Sequence, residues 1–105
     1  MNILFICSRN IWRSPTAERV YKDRQDHKVR SAGTEPSAKI KVSSKDILWA
    51  HFIFVMEKKH KQRLVEKFPN EMSNKKVVVL DIEDDYKYMD NELVEMITLS
   101  VDPYL

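Results

Sequence analysis

Four strand candidates, spaced so that a helix fits between each pair, constrain this 105-residue chain more than any other feature. They read as strands at Asn2 to Ile6, Lys28 to Ala32, His51 to Val55 and Lys76 to Leu80. Helices are expected from Pro15 to Arg24, Ser44 to Trp49, Lys58 to Phe68 and Asn91 to Leu99. In the third helix Leu64, Val65 and Phe68 stand at helical spacing, and Pro69 stops it. In the last, Leu93, Met96, Ile97 and Leu99 supply the buried stripe. Strands alternating with helices predict an α/β layer fold with a parallel sheet. Phe52-Ile53-Phe54-Val55 and Val77-Val78-Val79-Leu80 lack the polar alternation of a half-solvated strand, so both faces of the sheet should be covered. The length suits one domain over residues 1–105.

The first strand runs into Cys7-Ser8-Arg9-Asn10-Ile11-Trp12-Arg13-Ser14-Pro15. Ser14-Pro15 reads as a helix start: a hydroxyl able to cap, then a proline where no backbone donor is lost. The segment between is then a strand-to-helix loop whose N–H groups gather at the positive end of a helix, where a phosphate dianion binds. In a parallel sheet such a loop lies beyond the carboxyl ends of the strands, the usual place for a ligand. A helix N-terminus and a nearby guanidinium lower thiol pKa values to roughly 3.5–7.5, which makes a cysteine at this place a nucleophile. Arg13 offers a planar fork that matches two phosphoryl oxygens. Ser14 can hydrogen-bond the sulfur, and Asn10 can tie the loop to itself through its amide. A C-x5-R spacing alone arises often by chance; the preceding strand, Ser14-Pro15 and the lack of another cysteine give it weight.

With 43% hydrophobic and 32% charged residues the composition is that of a soluble globular chain. No apolar run approaches a membrane span, and no charged leader precedes the first one. A cytoplasmic location with no membrane partner is the expectation. One cysteine cannot form an internal disulfide, and a free thiol suits a reducing compartment. Net charge is only +2, yet 15 Lys and Arg stand against 7 Asp and Glu up to Pro69, and 3 against 9 beyond it. A basic front half fits an anionic ligand. Lys58, Lys59, Lys61 and Arg63 are read as the solvated face of a helix.

Cleaving a phosphomonoester needs a proton for the leaving oxygen and later a base for water. Asp81-Ile82-Glu83-Asp84-Asp85-Tyr86 follows the fourth strand and so lies on the same sheet edge as Cys7. Asp84 is the favoured acid, with Asp85 and Asp102 as alternatives. Asp102-Pro103-Tyr104 has the more suggestive residues, but it follows a helix and sits near the C-terminus. Tyr86 and Tyr88 would wall a pocket for a flat leaving group. Asp90 is read as the N-cap of the last helix. Gly33, the only glycine, marks either a positive φ or a close passage of backbone. His27, His51 and His60 have no spacing that defines a metal site; neither metal nor cofactor is expected.

Taken together, the residues resemble the low-molecular-weight protein tyrosine phosphatases. Cys7, Asn10, Ile11, Arg13, Ser14, Pro15, Ala17 and Glu18 match the family's first motif, and Ser31-Ala32-Gly33-Thr34 its second. The stretch from Asp46 to Leu64 looks like its third strand and the following helix. The expected architecture is a three-layer sandwich: a four-stranded parallel sheet, order 2-1-3-4, with helices on both faces. The resemblance implies a cysteine-dependent phosphomonoesterase in which Cys7 forms a cysteinyl-phosphate, Arg13 clamps the phosphate and Asp84 is acid, then base. Ser8, Arg9, Asn10, Ile11, Trp12 and Ser14 complete the phosphate site. The expected partners are a phosphotyrosine protein or small phosphomonoester, with inorganic phosphate as product. A nucleotide or RNA-end phosphatase and a non-catalytic phosphate-binding module are the alternatives. Three departures matter: Arg9 stands where the family has glycine, which strains the loop if φ there is positive. Trp12 replaces a protective second cysteine. The chain is short by several tens of residues after Thr34, which leaves the pocket shallower.

Overall fold

The computed structural model describes residues 1–24 and 26–105. Strands β1 (Asn2–Cys7), β2 (Lys28–Gly33), β3 (Phe52–Val55) and β4 (Lys76–Val79) form one parallel sheet in the order β2-β1-β3-β4. The helices are α1 (Arg13–Tyr21), α2 (Ser44–Trp49), α3 (Lys58–Lys67), α4 (Pro69–Met72) and α5 (Asn91–Val101), followed by a 3-10 turn at Asp102–Tyr104.

Strand alternation sorts the core into two layers. Ile3, Phe5 and Cys7 of β1 face one way, with Ala17 and Tyr21 of α1 and Leu93, Ile97 and Val101 of α5. Leu4 and Ile6 face the other way, with Ile47 of α2, Leu64 of α3 and Met72 of α4. This is the expected three-layer sandwich, its central strands buried on both faces. The parity of β1 has a direct consequence for function: it turns Cys7 toward the layer that contains α1, the helix the loop feeds.

Several boundaries differ from expectation. β1 and β2 each run one residue further, because Cys7 pairs with Gly33. β3 begins at Phe52, while His51 stands just before it and accepts a hydrogen bond on Nδ1 from the Asn2 N–H. α1 begins at Arg13, ahead of Pro15, with Trp12 as an N-cap that makes no side-chain bond. Ser14 is therefore not a cap, because its hydroxyl is taken up elsewhere. Pro69 both ends α3 and opens α4, where its fixed φ suits the first helical position. In α3, Leu64 is buried whereas Val65 is 46% exposed. In α5 the buried stripe is Leu93, Ile97 and Val101 at four-residue spacing, and Leu99 is 70% exposed. Asp90 caps α5, its Oδ1 accepting from the Glu92 N–H at 2.9 Å. Among the described residues, no helix is long and apolar enough to cross a membrane.

Candidate active site

The loop from Ser8 to Trp12 joins β1 to α1 and wraps the sulfur of Cys7. The Asn10 N–H donates to Cys7 Sγ at 3.3 Å, and Ser14 Oγ lies 2.9 Å from the same sulfur. Asn10 Nδ2 donates both to Ser14 Oγ at 2.9 Å and to Ser31 Oγ at 3.0 Å. Ser14 Oγ thus already accepts a hydrogen bond, and its own O–H has two acceptors within reach, the sulfur at 2.9 Å and the Ala32 carbonyl at 3.4 Å. Ser31 in turn donates to Glu18 Oε1 at 2.6 Å, which anchors the network to α1. Asn10 also bears the loop's left-handed turn at φ 56°, a conformation asparagine tolerates better than most residues. Arg9 has no positive φ, so the side chain at the family's glycine position brings no such strain. Among the described residues, the N–H groups of Ser8, Arg9, Ile11 and Trp12 have no acceptor.

Arg13 is buried, and its guanidinium is held along one edge. Nη1 donates to Glu57 Oε2 at 2.5 Å and to the Ile82 carbonyl at 2.8 Å. Nε is buried with no hydrogen-bond partner and stands 3.4 Å from Asp84 Oδ1. Burial works to raise the Glu57 carboxyl, but the hydrogen bond and charge of Arg13, helped by Lys59, hold it below the usual carboxylate range. Cys7, Arg9, Ile11, Trp12, Arg13 and Asp84 line a hollow of about 130 Å³. The sequence-predicted nucleophile, arginine and favoured acid therefore meet in one place. Ser8, Asn10 and Ser14 lie beneath it, buried.

His60 was invisible to motif reasoning. It is fully buried in the first turn of α3, and Nδ1 accepts the Glu57 N–H at 3.0 Å. Its proton is then on Nε2, which donates to Ser8 Oγ at 2.8 Å; Arg13 Nη2 approaches the same oxygen at 3.4 Å. Burial, with the Arg13 charge acting in the same direction, pushes the imidazole down to about 4. The available signal was positional: Glu57 and His60 stand three residues apart at a helix start, the spacing of a capping box.

The acidic loop is anchored at both ends. The Ile82 N–H donates to the Met56 carbonyl at 2.9 Å, and the Met89 N–H to Thr16 Oγ1 at 2.9 Å. Between these ties Asp84 reaches the hollow, while Asp85 and Tyr86 line a separate one with Asp81 and Met96. Tyr86 is half-buried against the α5 side of the core and does not wall the Cys7 hollow, because the loop turns its ring inward. Tyr88 is exposed beside α1, lining an adjoining groove. Asp102 is placed elsewhere, accepting from Tyr21 Oη at 2.7 Å and from Arg24 at 3.0 Å.

The segment after β2 straps the loop from outside. N–H groups of Thr34, Glu35 and Lys39 donate to the carbonyls of Cys7, Ser8 and Arg9, each at 3.0 Å. These bonds take up the loop carbonyls and leave the N–H groups of Ser8 and Arg9 without an acceptor among the described residues. Gly33 permits the approach by lack of bulk and not by φ: a Cβ there would meet the Ser8 carbonyl oxygen at 2.5 Å.

Fold and site together define a phosphatase that works through cysteine. Residues 2–62 match the model of the low molecular weight phosphotyrosine protein phosphatases, and the chain belongs to that family. Comparison with curated proteins finds no match. Among solved structures, the chain is similar to the YwlE arginine phosphatase from Geobacillus stearothermophilus, with 23% identity over 98% of this chain and 92% of that one, at a TM-score of 0.75. It is likewise similar to the low molecular weight protein tyrosine phosphatase from T. tengcongensis, with 21% identity over 100% and 99%, at 0.78. The enzyme SP-PTP from Streptococcus pyogenes gives 17% identity over 99% and 90%, at 0.80.

Proposed function

We propose that this chain hydrolyses phosphotyrosine in proteins, with Cys7 as nucleophile, Arg13 and the loop amides as phosphate site, and Asp84 as proton donor. The observation that carries this reading is the convergence of Cys7, Arg13 and Asp84 on one small hollow, with Arg13 Nε and several N–H groups of the adjoining loop unpartnered among the described residues. Sulfur attacks phosphorus, and the bond to the leaving oxygen breaks as Asp84 supplies that oxygen's proton. Water, deprotonated by Asp84, then displaces the sulfur from the cysteinyl-phosphate, giving inorganic phosphate and the free thiolate. Negative charge on the equatorial oxygens is met by the loop N–H groups and by the Arg13 guanidinium, whose Nε has no hydrogen-bond partner. The apolar side chains Ile11 and Trp12 on the rim suit a flat aromatic leaving group.

A rapid-quench experiment with p-nitrophenyl phosphate tests the chemistry: a burst of nitrophenolate, with phosphate recovered on Cys7 by mass spectrometry, is expected. Cys7→Ser should abolish turnover while phosphate still binds; undiminished turnover in that variant would refute the reading. The likeness to an arginine phosphatase favours phosphoarginine as a second substrate class. Matched phosphotyrosine and phosphoarginine peptides decide between them, and the higher kcat/KM is expected for phosphotyrosine.

A further inference from the structure

Beside the cradle lies a larger groove of about 380 Å³, lined by Ile11, Pro15, Glu18, Arg19, Lys22, Lys39 and Tyr88. Ile11 lines both hollows, so the two share a wall. A polypeptide whose phosphorylated residue enters the cradle has its neighbouring residues at this wall. We infer that the groove is a specificity site that receives acidic side chains flanking the phosphorylated residue of a peptide substrate, an inference that rests on the function proposed above.

Charge carries the argument. Lys22 and Lys39 are exposed and, among the described residues, make no ion pair; the same holds for Arg9 on the cradle rim. Arg19 is paired with Asp23 at 3.1 Å. The one carboxylate in the groove, Glu18, accepts from buried Ser31 and is thereby drawn toward the interior. What the groove offers a ligand is therefore two unneutralised ammonium groups, with Ile11, Pro15 and the Tyr88 ring as apolar surface between them. Cations kept without partners complement carboxylates, and the strength of such exposed pairs falls with salt. Two exposed pairs, at the usual strength of such contacts, amount to about three- to tenfold in kcat/KM.

The test compares phosphotyrosine peptides with acidic, neutral or lysine-bearing flanks, at low and high salt, with p-nitrophenyl phosphate as a substrate too small to enter the groove. The acidic peptide should exceed the neutral one by about three- to tenfold at low salt. High salt should abolish the advantage. Lys22→Glu combined with Lys39→Glu should reverse the ranking while turnover of p-nitrophenyl phosphate stays the same, since only side chains outside the cradle change. Equal rates for all three peptides, with p-nitrophenyl phosphate still hydrolysed, would overturn this inference and leave the phosphatase reading standing. Failure to hydrolyse p-nitrophenyl phosphate would overturn both. A 5′-phosphorylated oligonucleotide turned over faster than every peptide would also overturn the assignment, because the groove would then be serving a nucleic-acid backbone.

Discussion

Nε2 of His60 lies 2.8 Å from Oγ of Ser8, tying the first turn of α3 to the phosphate loop across 52 residues of sequence. The contact needs a neutral ring, since Nδ1 must accept the Glu57 N–H. An unfolded histidine titrates near pH 6.5, whereas this one is depressed to about 4. Between those values the unfolded chain binds a proton that the folded chain refuses, so stability falls as pH drops from 6.5 to 4 and this contribution levels off below. Thermal unfolding at pH 7 and pH 4.5 should show wild type losing about 2 kcal/mol more than His60→Gln over that interval. Parallel losses in the two proteins would show that His60 is not the source.

Ser14 and Asn10 act on the sulfur as one unit, because the Asn10 amide donates to the same hydroxyl that lies 2.9 Å from the sulfur. Ser14→Ala removes that hydroxyl from a buried site, and loss of a preorganised donor costs about 10²-fold in kcat. Asn10→Gly, which keeps the left-handed turn at φ 56°, should cost a comparable amount through Ser14. The double variant should be little worse than Ser14→Ala alone, a coupling that steady-state kinetics on p-nitrophenyl phosphate reads directly. Additive losses would mean that Asn10 acts on the loop independently of Ser14.

Much of the architecture was legible because hydrophobic patterning is local and strong. Continuous apolar runs marked β1, β3 and β4, and Cys7, Arg13 and Ser14 stood out because strand, loop and helix start are contiguous in sequence. What the sequence hid were contacts made across the sheet. His60 looked like one scattered histidine, since its partner Ser8 comes from another strand-end loop. Tyr86 looked like a pocket wall, but the direction of a loop side chain depends on how both loop ends are tied, here to Met56 and Thr16. Asp102 competed with Asp84 only until the fold sent it to Tyr21.

The three candidate acids should separate in kinetics. Asp84→Asn removes the carboxyl that lines the Cys7 hollow, and general acid catalysis contributes roughly 10²–10⁴-fold. The loss in kcat should be large for phenyl phosphate and smaller for p-nitrophenyl phosphate, whose leaving group needs less protonation. Asp85→Asn should leave both rates within about twofold of wild type, because exposed Asp85 lies off the hollow and surface changes of that kind have small effects. Asp102→Asn should spare kcat and lower stability by about 1 kcal/mol through the weakened Tyr21 bond. A wild-type ratio of the two substrates in Asp84→Asn would assign the acid elsewhere.

Gly33 sets how closely the strap can approach the loop. Its φ is not positive, so alanine meets no backbone penalty there; the obstacle is purely steric. An added methyl would lie 2.5 Å from the Ser8 carbonyl oxygen, 2.7 Å from Ala38 Cβ and 3.1 Å from the Arg9 carbonyl carbon. Overpacking of this kind costs about 1–3 kcal/mol, and here two of the three obstructing atoms are loop backbone. Gly33→Ala should therefore lower both thermal stability and kcat, since relief requires Ser8 and Arg9 to move. Adding Ala38→Gly removes one clash and leaves the two backbone clashes in place, so it should restore little of the lost activity. Full recovery in that double variant would mean that the strap, and not the cradle, had absorbed the strain.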